Sequence, residues 1–527
     1  MPADDLFAER LRKVDELAAL GFPAYNVDFR PSVTLDRARA LLSERERAPD
    51  GSDGDGPEVA VAGRIKRLRP QGGMSFADIE DDTSVLQVWC RSEVLGDTGY
   101  RVIGLLDLGD IIAVNGRMTR TKRGEASVLA SRVTPLVKAL HPPPEKFHGL
   151  QDQETRYRKR YLDLVSSDAQ RRHFAARSAV VRSLRRTLDA RGFLEVETPI
   201  LVPVPGGGTA EPFVTHWNAL HTDVYLRIAI ELHLKRLIVG GYQRVYEIGR
   251  VFRNEGLGPR WNPEFTMLEA YQAFATYDDM RELAEALIVD AASAVGPQEV
   301  EEGGGEACEN PLVRRIGGRT VDLQPPFTAA RMVDLVRERR GIDALDQWDE
   351  LGDVARNMGI DIARGAGPGR ALLEIYEHAV EPELWEPTFV LDYPAEVSPL
   401  ARRRRDDPRF VERFELIVAG REIANAFSEL NDPVDQRRRF EEQARLRAAG
   451  DSEIPPIDDD FLQALEVGMP PAGGLGIGVD RMFMLLSGAT NIRDVLLFPT
   501  MRPLRGEGSD GHDTRSHESP SERAEDA

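Results

Sequence analysis

Apolar residues at the start of the chain recur three to four positions apart, the spacing that lines one face of an α-helix. The run comprises Leu6, Phe7, Leu11, Val14, Leu17 and Leu20, and Gly21 with Pro23 ends it. We therefore predict an amphipathic helix over residues 4–20 that packs on a neighbouring domain. The glycine- and aspartate-rich residues 49–57 predict a flexible acidic loop, which completes an N-terminal segment of residues 1–57.

Between residues 58 and 140 the pattern changes to short β-like runs separated by polar or glycine-containing breaks. The runs are 59–68, 74–79, 85–90, 110–119 and 126–137, with a longer segment between the third and the fourth. Short strands at this spacing are typical of a small Greek-key barrel of the oligonucleotide-binding type, the OB-fold. We predict such a domain over residues 58–140, followed by a proline-rich linker over 141–160.

The rest of the chain mixes helical and β-like patterns irregularly instead of alternating them as βαβ units. Residues 172–190 and 278–294 have helical spacing. The extended or β-like stretches are 196–202, 244–252, 264–275 and 414–424. This mixture predicts an α+β domain over residues 161–504, with helices on one side of an antiparallel sheet. The two common nucleotide-binding loops, GxxxxGK[ST] and GxGxxG after a strand, are missing from the sequence.

Composition and charge narrow the class of protein. With 88 acidic and 68 basic residues the net charge is −20, which argues against a general nucleic-acid coat but not against a local basic groove. The two cysteines, Cys90 and Cys308, cannot build a disulfide framework and suggest no closed metal site. Neither a signal peptide nor a long apolar run is present, so we expect a cytoplasmic protein without a membrane span. The acidic residues 505–527 predict a disordered tail.

The densest chemical signal is a pair of charged β-like segments around a Gly/Pro loop. Arg253 and Glu255 end the first segment, and Arg260 lies in the loop. Phe265, Glu269 and Tyr271 have the matching parity on the return strand. A face this rich in charged and polar groups makes a poor core, so a binding site is one interpretation. The other is a solvated sheet face with ion pairs at its rim.

A second signal is the segment from Phe414 to Glu429. If residues 419 and 420 form a two-residue turn, Glu415 and Glu422 lie diagonally across a hairpin on one face, and Asn425, Phe427 and Glu429 have the other parity. Two carboxylates this close repel each other unless a divalent cation or a cationic substrate lies between them. The alternative is that Arg421 or another base pairs with them.

A third signal is the glycine-rich stretch of residues 473–478, which leads into an apolar helix that begins near Arg481. Glycine lets the backbone approach a ligand closely, and an arginine at a helix start can hold phosphate oxygens or stack on a base. Taken by itself, this stretch is also explained by a glycine-rich strand that packs against a helix.

Together these segments closely resemble the three signature motifs of class II aminoacyl-tRNA synthetases in their lysine-specific form. Residues 191–199 resemble motif one, 253–265 motif two and 474–486 motif three. Lysine-type phrases also occur, at residues 146–152, 156–164, 225–229 and 427–432. The resemblance runs from about residue 58 to residue 504. It implies an N-terminal anticodon-binding barrel, a catalytic domain built on an antiparallel sheet, and a homodimer formed through motif one.

The resemblance also implies a mechanism, in which the lysine carboxylate attacks the α-phosphate of ATP. Arg253 is expected to bridge these two groups. Glu255 is expected to read the adenine amino group, with Phe265 and Arg481 on either side of the base. Carried over in full, the ATP-binding residues are Arg253, Glu255, Arg260, Phe265, Glu415 and Arg481. Glu415 and Glu422 are expected to hold Mg²⁺ on the phosphates.

The family's other two binding sites carry over in the same way. For lysine, Gly207 and Glu231 are expected to bind the α-amino group and Asn425 the carboxylate. Glu429 and Tyr271 are expected to bind the ε-ammonium, with Glu269 nearby. For the U-rich anticodon of tRNA-Lys, the barrel residues are Phe76, Gln87 and Glu125. Arg67 or Arg69 could add a phosphate or base contact, and the alignment leaves that choice open.

Three positions depart from the family pattern. Glu211 replaces a basic residue, Ile230 a proline, and Trp261 a histidine that usually faces the ATP phosphates. They suggest a specialised paralogue as one alternative, which makes lysyl-adenylate but lysylates another acceptor. A catalytically inert tRNA-binding relative is a second alternative, against which Arg253 and the intact acidic residues argue. A synthetase specific for aspartate or asparagine would need a basic pocket end in place of Glu429.

Overall fold

The computed structural model describes residues 3–48, 56–144, 150, 152–256, 258–298, 309–362, 366–448 and 456–504. Most of the predicted acidic loop, residues 146–149 and 151 of the 146–152 phrase, Cys308 and the predicted tail lie outside these residues. The chain divides into two compact units, one of Met1–Gln151 with Tyr161–Ser166 and one of Asp152–Arg160 with Ser167–Ala527.

In its described residues the first unit has a closed five-stranded barrel, three whole helices and the last six residues of a fourth, Tyr161–Ser166. Its elements are α1 (Ala3–Ala19), α2 (Leu35–Arg47), β1 (Glu58–Gln71), β2 (Met74–Glu80), β3 (Val85–Arg91), α3 (Ser92–Leu105), β4 (Ile111–Arg120) and β5 (Ala126–Val137). The strand order is β1-β2-β3-β5-β4. Every second residue of β3 is buried, so one face of this strand lines the barrel core. The predicted OB-fold is confirmed.

Helix α1 matches the predicted helix within a residue at each end, and it is held by polar contacts inside its own unit. Arg10 Nη1 donates to the Ala139 carbonyl at 2.7 Å, and Lys13 Nζ donates to Asp107 at 2.8 Å. Helix α3 occupies the long segment between the third and fourth predicted strands.

The second unit is larger and mixes helices with short and long strands. Its first elements are α4 (Gln153–Arg158), α5 (Arg160–Ser166, whose last six residues group with the first unit), α6 (Asp168–Ala190), β6 (Leu194–Glu195), β7 (Leu201–Val202), β8 (Val214–Trp217), β9 (Thr222–Leu226), α7 (Glu231–Val239), β10 (Arg244–Phe252), β11 (Glu264–Ala273) and α8 (Tyr277–Val295). The middle elements are β12 (Val313–Ile316), β13 (Arg319–Asp322), β14 (Thr328–Arg331), α9 (Met332–Arg340), α10 (Leu351–Asn357), α11 (Pro368–Ala379) and β15 (Thr388–Leu391). The last are β16 (Arg413–Ile417), β17 (Glu422–Ser428), α12 (Pro433–Ala448), α13 (Asp459–Gly468), β18 (Ala472–Gly478), α14 (Val479–Ser487) and α15 (Ile492–Val495).

One large sheet organises this unit. In the described residues it has eight strands in the order β14-β15-β16-β17-β18-β11-β10-β6. The pairs β14·β15 and β10·β6 are parallel, and the other neighbours are antiparallel. The predicted α+β class is therefore confirmed. The predicted extended stretch 196–202 contains only the short strand β7, and the predicted strand 414–424 is a hairpin of two strands.

The two faces of the large sheet differ in character because side chains alternate along each strand. On β11, Leu268 and Ala270 join a core made with α6, α8 and α14. Their neighbours Phe265, Glu269 and Tyr271 point to the opposite face and line a cavity. In the described parts of the chain, no helix is both long and apolar enough to cross a membrane.

Candidate active site

The cavity on the polar face of the large sheet has a volume of about 440 Å³. Every residue predicted to bind ATP, lysine or Mg²⁺ lines it except Glu429, which lies directly behind Gly474. The lining set is Gly207, Glu231, Arg253, Glu255, Arg260, Phe265, Glu269, Tyr271, Glu415, Glu422, Asn425 and Arg481. Residues separated by up to 274 positions along the chain therefore meet in one space.

The β10–β11 hairpin provides the arginine at the centre of the cavity. The backbone N–H of Arg253 donates to the Pro263 carbonyl at 2.9 Å, which fixes the base of the hairpin tip. Its guanidinium lies 5.3 Å from the centroid of the Phe265 ring. Burial lowers the pKa of Arg253, and the neighbouring Glu255 opposes that shift. The buried Nε of Arg253 has no hydrogen-bond partner in the described residues, so a donor remains for a ligand.

The tip of this hairpin carries Trp261, one of the departures from the family pattern. The Trp261 ring lies against Gly258, where an added Cβ would approach it to 2.7 Å. The ring also lines the cavity and is 50% exposed. The Ile492 N–H donates to the Pro259 carbonyl at 2.7 Å and so ties the tip to α15. Trp261 thus forms part of the cavity rim.

The β16–β17 hairpin has the predicted two-residue turn, with positive φ angles of 52° at Ala419 and 64° at Gly420. The predicted parity of Asn425, however, is wrong. Strand β17 contains a bulge next to Glu422, after which Glu415 pairs directly with Asn425. Because a bulge adds one residue to one strand, it shifts the alternation of everything beyond it. Glu415, Glu422 and Asn425 therefore all face the cavity.

Arginines other than Arg421 pair with the two hairpin carboxylates. Arg413 Nη2 donates to Glu415 at 2.5 Å, while its Nε donates to Asn425 Oδ1 at 3.1 Å. Arg481 Nη1 donates to Glu422 at 2.9 Å. Burial, reinforced by the charge of Glu422, nevertheless raises the pKa of Glu415 to about 7. Ion pairs with arginines therefore account for only part of the arrangement of Glu415 and Glu422.

The donor set of these carboxylates fits Mg²⁺. The described residues contain no cluster of three or more His, Cys, Asp or Glu side chains that could enclose a metal ion. Mg²⁺ is usually held by one or two carboxylates together with water and substrate phosphates. Glu415 and Glu422, two hard oxygen donors facing an open cavity, match that pattern. Added positive charge would also relieve the repulsion that raises the Glu415 pKa.

The closed end of the cavity is an acidic cluster formed by Glu231, Glu269 and Glu429. Burial raises the pKa of Glu269 to about 7, although it accepts bonds from the Ile230 N–H at 2.9 Å and the Tyr271 hydroxyl at 3.1 Å. Burial likewise raises the pKa of Glu429 well above its usual value. A cation among three buried acids so close together favours their ionised forms.

Two glycines make room for this cluster. A Cβ at Gly474 would overlap Glu429 Oε1 and lie 2.5 Å from the Tyr271 ring, so only glycine fits there. Gly207 has a φ of +82°, and a Cβ there would lie 3.1 Å from that of Glu231. Each glycine therefore brings backbone close to a carboxylate.

Sequence reasoning missed three residues that support the site. Lys235 is fully buried and pairs with Glu231 and Glu429. Arg413 links Glu415 to Asn425. Asp480 accepts from Arg177 at 2.6 Å and from the Thr266 N–H at 2.8 Å, which anchors α14 to β11. The one available signal was the four-residue spacing of Glu231 and Lys235, which places both on one helix face.

The barrel brings most of its predicted residues to its outer face. Phe76 on β2 stacks on Trp89 of β3, with ring centroids 6.0 Å apart, and neither belongs to the barrel core. Gln87 accepts a hydrogen bond from the Ser127 hydroxyl at 3.0 Å. Arg69 lies directly across from Phe76 and donates to Asp78 at 2.9 Å.

The remaining predicted barrel residues flank this face. Glu125 is exposed just before β5, and Arg67 lies opposite Asp78 across the β1–β2 pair. Arg67 and Arg69 are two residues apart in a regular stretch of β1, so both lie on one face of the strand. Both arginines are therefore available on the face that carries Phe76.

Two protein families match the chain, one for each predicted domain. Residues 59–136 match the family described as "OB-fold nucleic acid binding domain". Residues 152–502 match "tRNA synthetases class II (D, K and N)". The sheet and its cavity are thus those of a class II aminoacyl-tRNA synthetase.

Curated relatives narrow this class further. The lysine–tRNA ligase of Moorella thermoacetica is 48% identical over 503 residues, covering 95% of this chain and 98% of the relative. Those of Synechococcus sp. and Halalkalibacterium halodurans are 47% and 46% identical, again over 95% of this chain and over 99% and 97% of the relatives. The chain belongs to the lysine–tRNA ligase family.

Proposed function

We propose that this chain activates L-lysine with ATP and transfers the lysine to the 3′ end of tRNA-Lys in the cytoplasm. The observation that carries the proposal is the acidic end of the cavity. Its buried Glu429 oxygen has no hydrogen-bond partner in the described residues and lies beside Tyr271. Such a carboxylate strongly favours a ligand with a cation at the end of a long apolar stem.

In the activation step a carboxylate oxygen of lysine bonds to the α-phosphorus of ATP, and the bond to the β-phosphate oxygen breaks. Pyrophosphate leaves with the electron pair, so no protein nucleophile or general base is required. Arg253 stabilises the charge that develops between the carboxylate and the α-phosphate, because its cationic donors face both from a buried position. Positioning and charge neutralisation are sufficient for such a step.

The outer part of the cavity binds the nucleotide. Phe265 and Arg481 hold the adenine between them, Glu255 accepts from its amino group, and Arg260 contacts the phosphates. Glu415 and Glu422 would hold Mg²⁺, which would supply positive charge to the phosphates of ATP. Because Arg481 pairs with Glu422 at 2.9 Å, the metal ion would compete with Arg481 for that carboxylate.

The inner part binds lysine. Glu231, next to Gly207, takes the α-amino group, while Asn425 takes the carboxylate. Glu429 and Tyr271 take the ε-ammonium, and Glu269 holds Tyr271 through the 3.1 Å bond from its hydroxyl. Lys235 pairs with Glu429 Oε2, so a neutral side chain would leave Oε1 of the same carboxylate buried without a partner and is rejected for that reason.

We assign tRNA binding to the predicted barrel domain and lysine binding to the predicted catalytic domain. In the barrel, residues 58–140, the stacked pair Phe76 and Trp89 offers an aromatic surface to unstacked anticodon bases. Gln87 and Glu125 lie within the same domain to contact base edges, with Arg67 and Arg69 for the backbone phosphates.

We also propose a homodimer formed through motif one. Leu194 on the edge strand β6 and Leu201 on β7 are both about half exposed, at 47% and 49%. Val214 and Trp217 on β8 are exposed as well. Large apolar residues left exposed on short strands favour burial against a second copy.

One observation favours a second candidate function, a paralogue that lysylates another acceptor. Trp261 lines the cavity, Glu211 lies two residues beyond the lining residue Thr209, and both differ from the family pattern. The barrel face with Phe76 argues for tRNA as the acceptor.

Radiolabelled lysine transfer to a tRNA-Lys transcript, run beside lysine-dependent ATP–pyrophosphate exchange, tests the proposal. We expect both reactions. Exchange without transfer would favour the second candidate, and neither reaction would indicate an inert relative. A tRNA transcript with a changed anticodon serves as the control for recognition by the barrel.

A further inference from the structure

A buried lysine of the protein's own lies within the acidic cluster. Lys235 on α7 is fully buried, and its Nζ donates to Glu231 Oε1 at 2.6 Å and pairs with Glu429 Oε2. The rings of Phe427 and Phe461 lie 5.4 and 5.9 Å from the same Nζ. This cation is thus held from several sides and cannot leave without breaking two ion pairs.

Lys235 uses only one oxygen of each carboxylate. The other oxygen of Glu231, Oε2, faces Gly207, where an added Cβ would lie 3.8 Å away. The other oxygen of Glu429, Oε1, faces Gly474 and Tyr271 and has no hydrogen-bond partner in the described residues. One fixed ammonium therefore separates two acceptors, which are the ones proposed above for the two ammonium groups of the substrate.

The net charge of the cluster also indicates that Lys235 helps to bind the two ammonium groups of the substrate. Three carboxylates and one ammonium leave the cluster with a charge of −2 when all are ionised, which matches the two ammonium groups of lysine. Lys235 favours the ionised form of Glu429, so its removal would favour protonation of that acid further. A protonated acid attracts an ammonium group less strongly. Without Lys235, Glu231 and Glu429 would also lose the side chain that pairs with both of them.

We propose that Lys235 is the positioning residue that fixes the distance between the two ammonium-binding carboxylates and thereby the length of the diamino acid that is accepted. This inference rests on the proposed function. Lys235 acts through Glu231 and Glu429 and has no contact with reacting atoms. A buried ion pair with a purely structural role would contribute to stability but would not distinguish between substrates of different length.

The test compares lysine with ornithine, which is one methylene shorter, in ATP–pyrophosphate exchange. Lys235→Met keeps the length of the side chain and removes its charge. Lys138→Met is the matched control, because Lys138 is equally buried and also pairs with two carboxylates, Asp107 and Asp110, but in the barrel unit. Thermal unfolding of each variant is measured alongside.

We expect Lys235→Met to raise the KM for lysine about 100-fold, with the KM for ATP nearly unchanged. We also expect the preference for lysine over ornithine in kcat/KM to fall about tenfold. Lys138→Met should lower the melting temperature and leave both quantities at wild-type values. An unchanged preference, or an equal loss with both substrates, would overturn the inference.

If Lys235→Met does not fold, Lys235→Arg carries the same test. Its wider guanidinium keeps the charge but should change the separation of the carboxylates, so a shifted preference supports the inference and an unchanged one overturns it. Absence of lysine-dependent exchange in the wild-type protein would instead contradict the proposed function, so the two failures are distinguishable.

Discussion

The barrel and the catalytic cavity both present charged and aromatic groups to a ligand, but they hold them differently. On the barrel, Phe76 and Arg69 lie on an outer strand face where water remains their neighbour. In the cavity, Glu269, Glu429 and Lys235 are buried together, and burial raises the pKa of both acids. Each contact on an exposed face contributes little binding free energy. Removal of one partner from a buried charged cluster costs much more, because it leaves a buried charge uncompensated. We therefore expect cavity changes to have far larger effects than barrel changes.

The largest effect is expected for Glu429→Gln. The change leaves the ε-ammonium without its buried counter-charge, so kcat/KM for lysine should fall about 100- to 1000-fold. Lysine-dependent pyrophosphate exchange measures it. Glu466→Gln, at a half-exposed position paired with Arg437, is the control and should behave as wild type. A loss below about tenfold would remove the contrast between the two regions.

A smaller effect is expected for Phe76→Ala in the barrel. Loss of one stacking surface costs about 1–3 kcal/mol per base, so the KM for tRNA-Lys should rise about 10- to 100-fold. Aminoacylation at varied tRNA concentration measures this change. Exchange without tRNA should not change. The opposite result, in which exchange falls and the KM for tRNA is constant, would contradict the division of roles.

The pH dependence of stability should sharpen the comparison. Because the pKa of Glu269 is about 7 in the folded state and 4.5 for the free side chain, the folded protein holds its proton more tightly. This group therefore makes unfolding easier as pH rises from about 4.5 to about 7. Glu269→Gln should flatten that part of the profile, as measured by denaturant unfolding across the range. Glu58→Gln, on an exposed strand end of the barrel, should leave the profile unchanged.

The smallest effect is expected for Trp261→His, which restores the family residue at the cavity rim. Because Trp261 is half exposed, its contacts with ATP are solvent-screened, and the KM for ATP should change less than about threefold. Exchange at varied ATP measures it. A change above about tenfold would assign Trp261 a role in nucleotide binding comparable with that of the buried groups.

The alternation of apolar and polar residues was sufficient to predict the barrel and the β10–β11 hairpin. Prediction from this alternation failed where a helix or strand is locally irregular. Helix α3 was missed because its glycines, with a positive φ of 68° at Gly96, interrupt helical spacing. The bulge beside Glu422 was missed because it depends on the partner strand, and the parity of Asn425 was wrong as a result.

Burial of charge was equally invisible in the sequence. A lysine within a helical pattern is expected on the solvent side, and the charges of Glu231 and Glu429 alone do not reveal that Lys235 lies between them. Trp89 was missed because alternation identifies a strand but does not say which face of a barrel strand is outward. The resemblance to a family supplied the site residues, and the fold supplied their neighbours.

The most direct test measures pyrophosphate exchange and tRNA-Lys charging side by side for the wild-type protein, Glu429→Gln and Phe76→Ala. We predict that the wild type performs both reactions, that Glu429→Gln weakens both about 100- to 1000-fold in kcat/KM for lysine, and that Phe76→Ala weakens charging alone through a higher KM for tRNA-Lys. Lysine-dependent exchange that survives in Glu429→Gln, or that falls as far as charging in Phe76→Ala, would contradict the claim that the buried cluster selects lysine and the barrel selects tRNA.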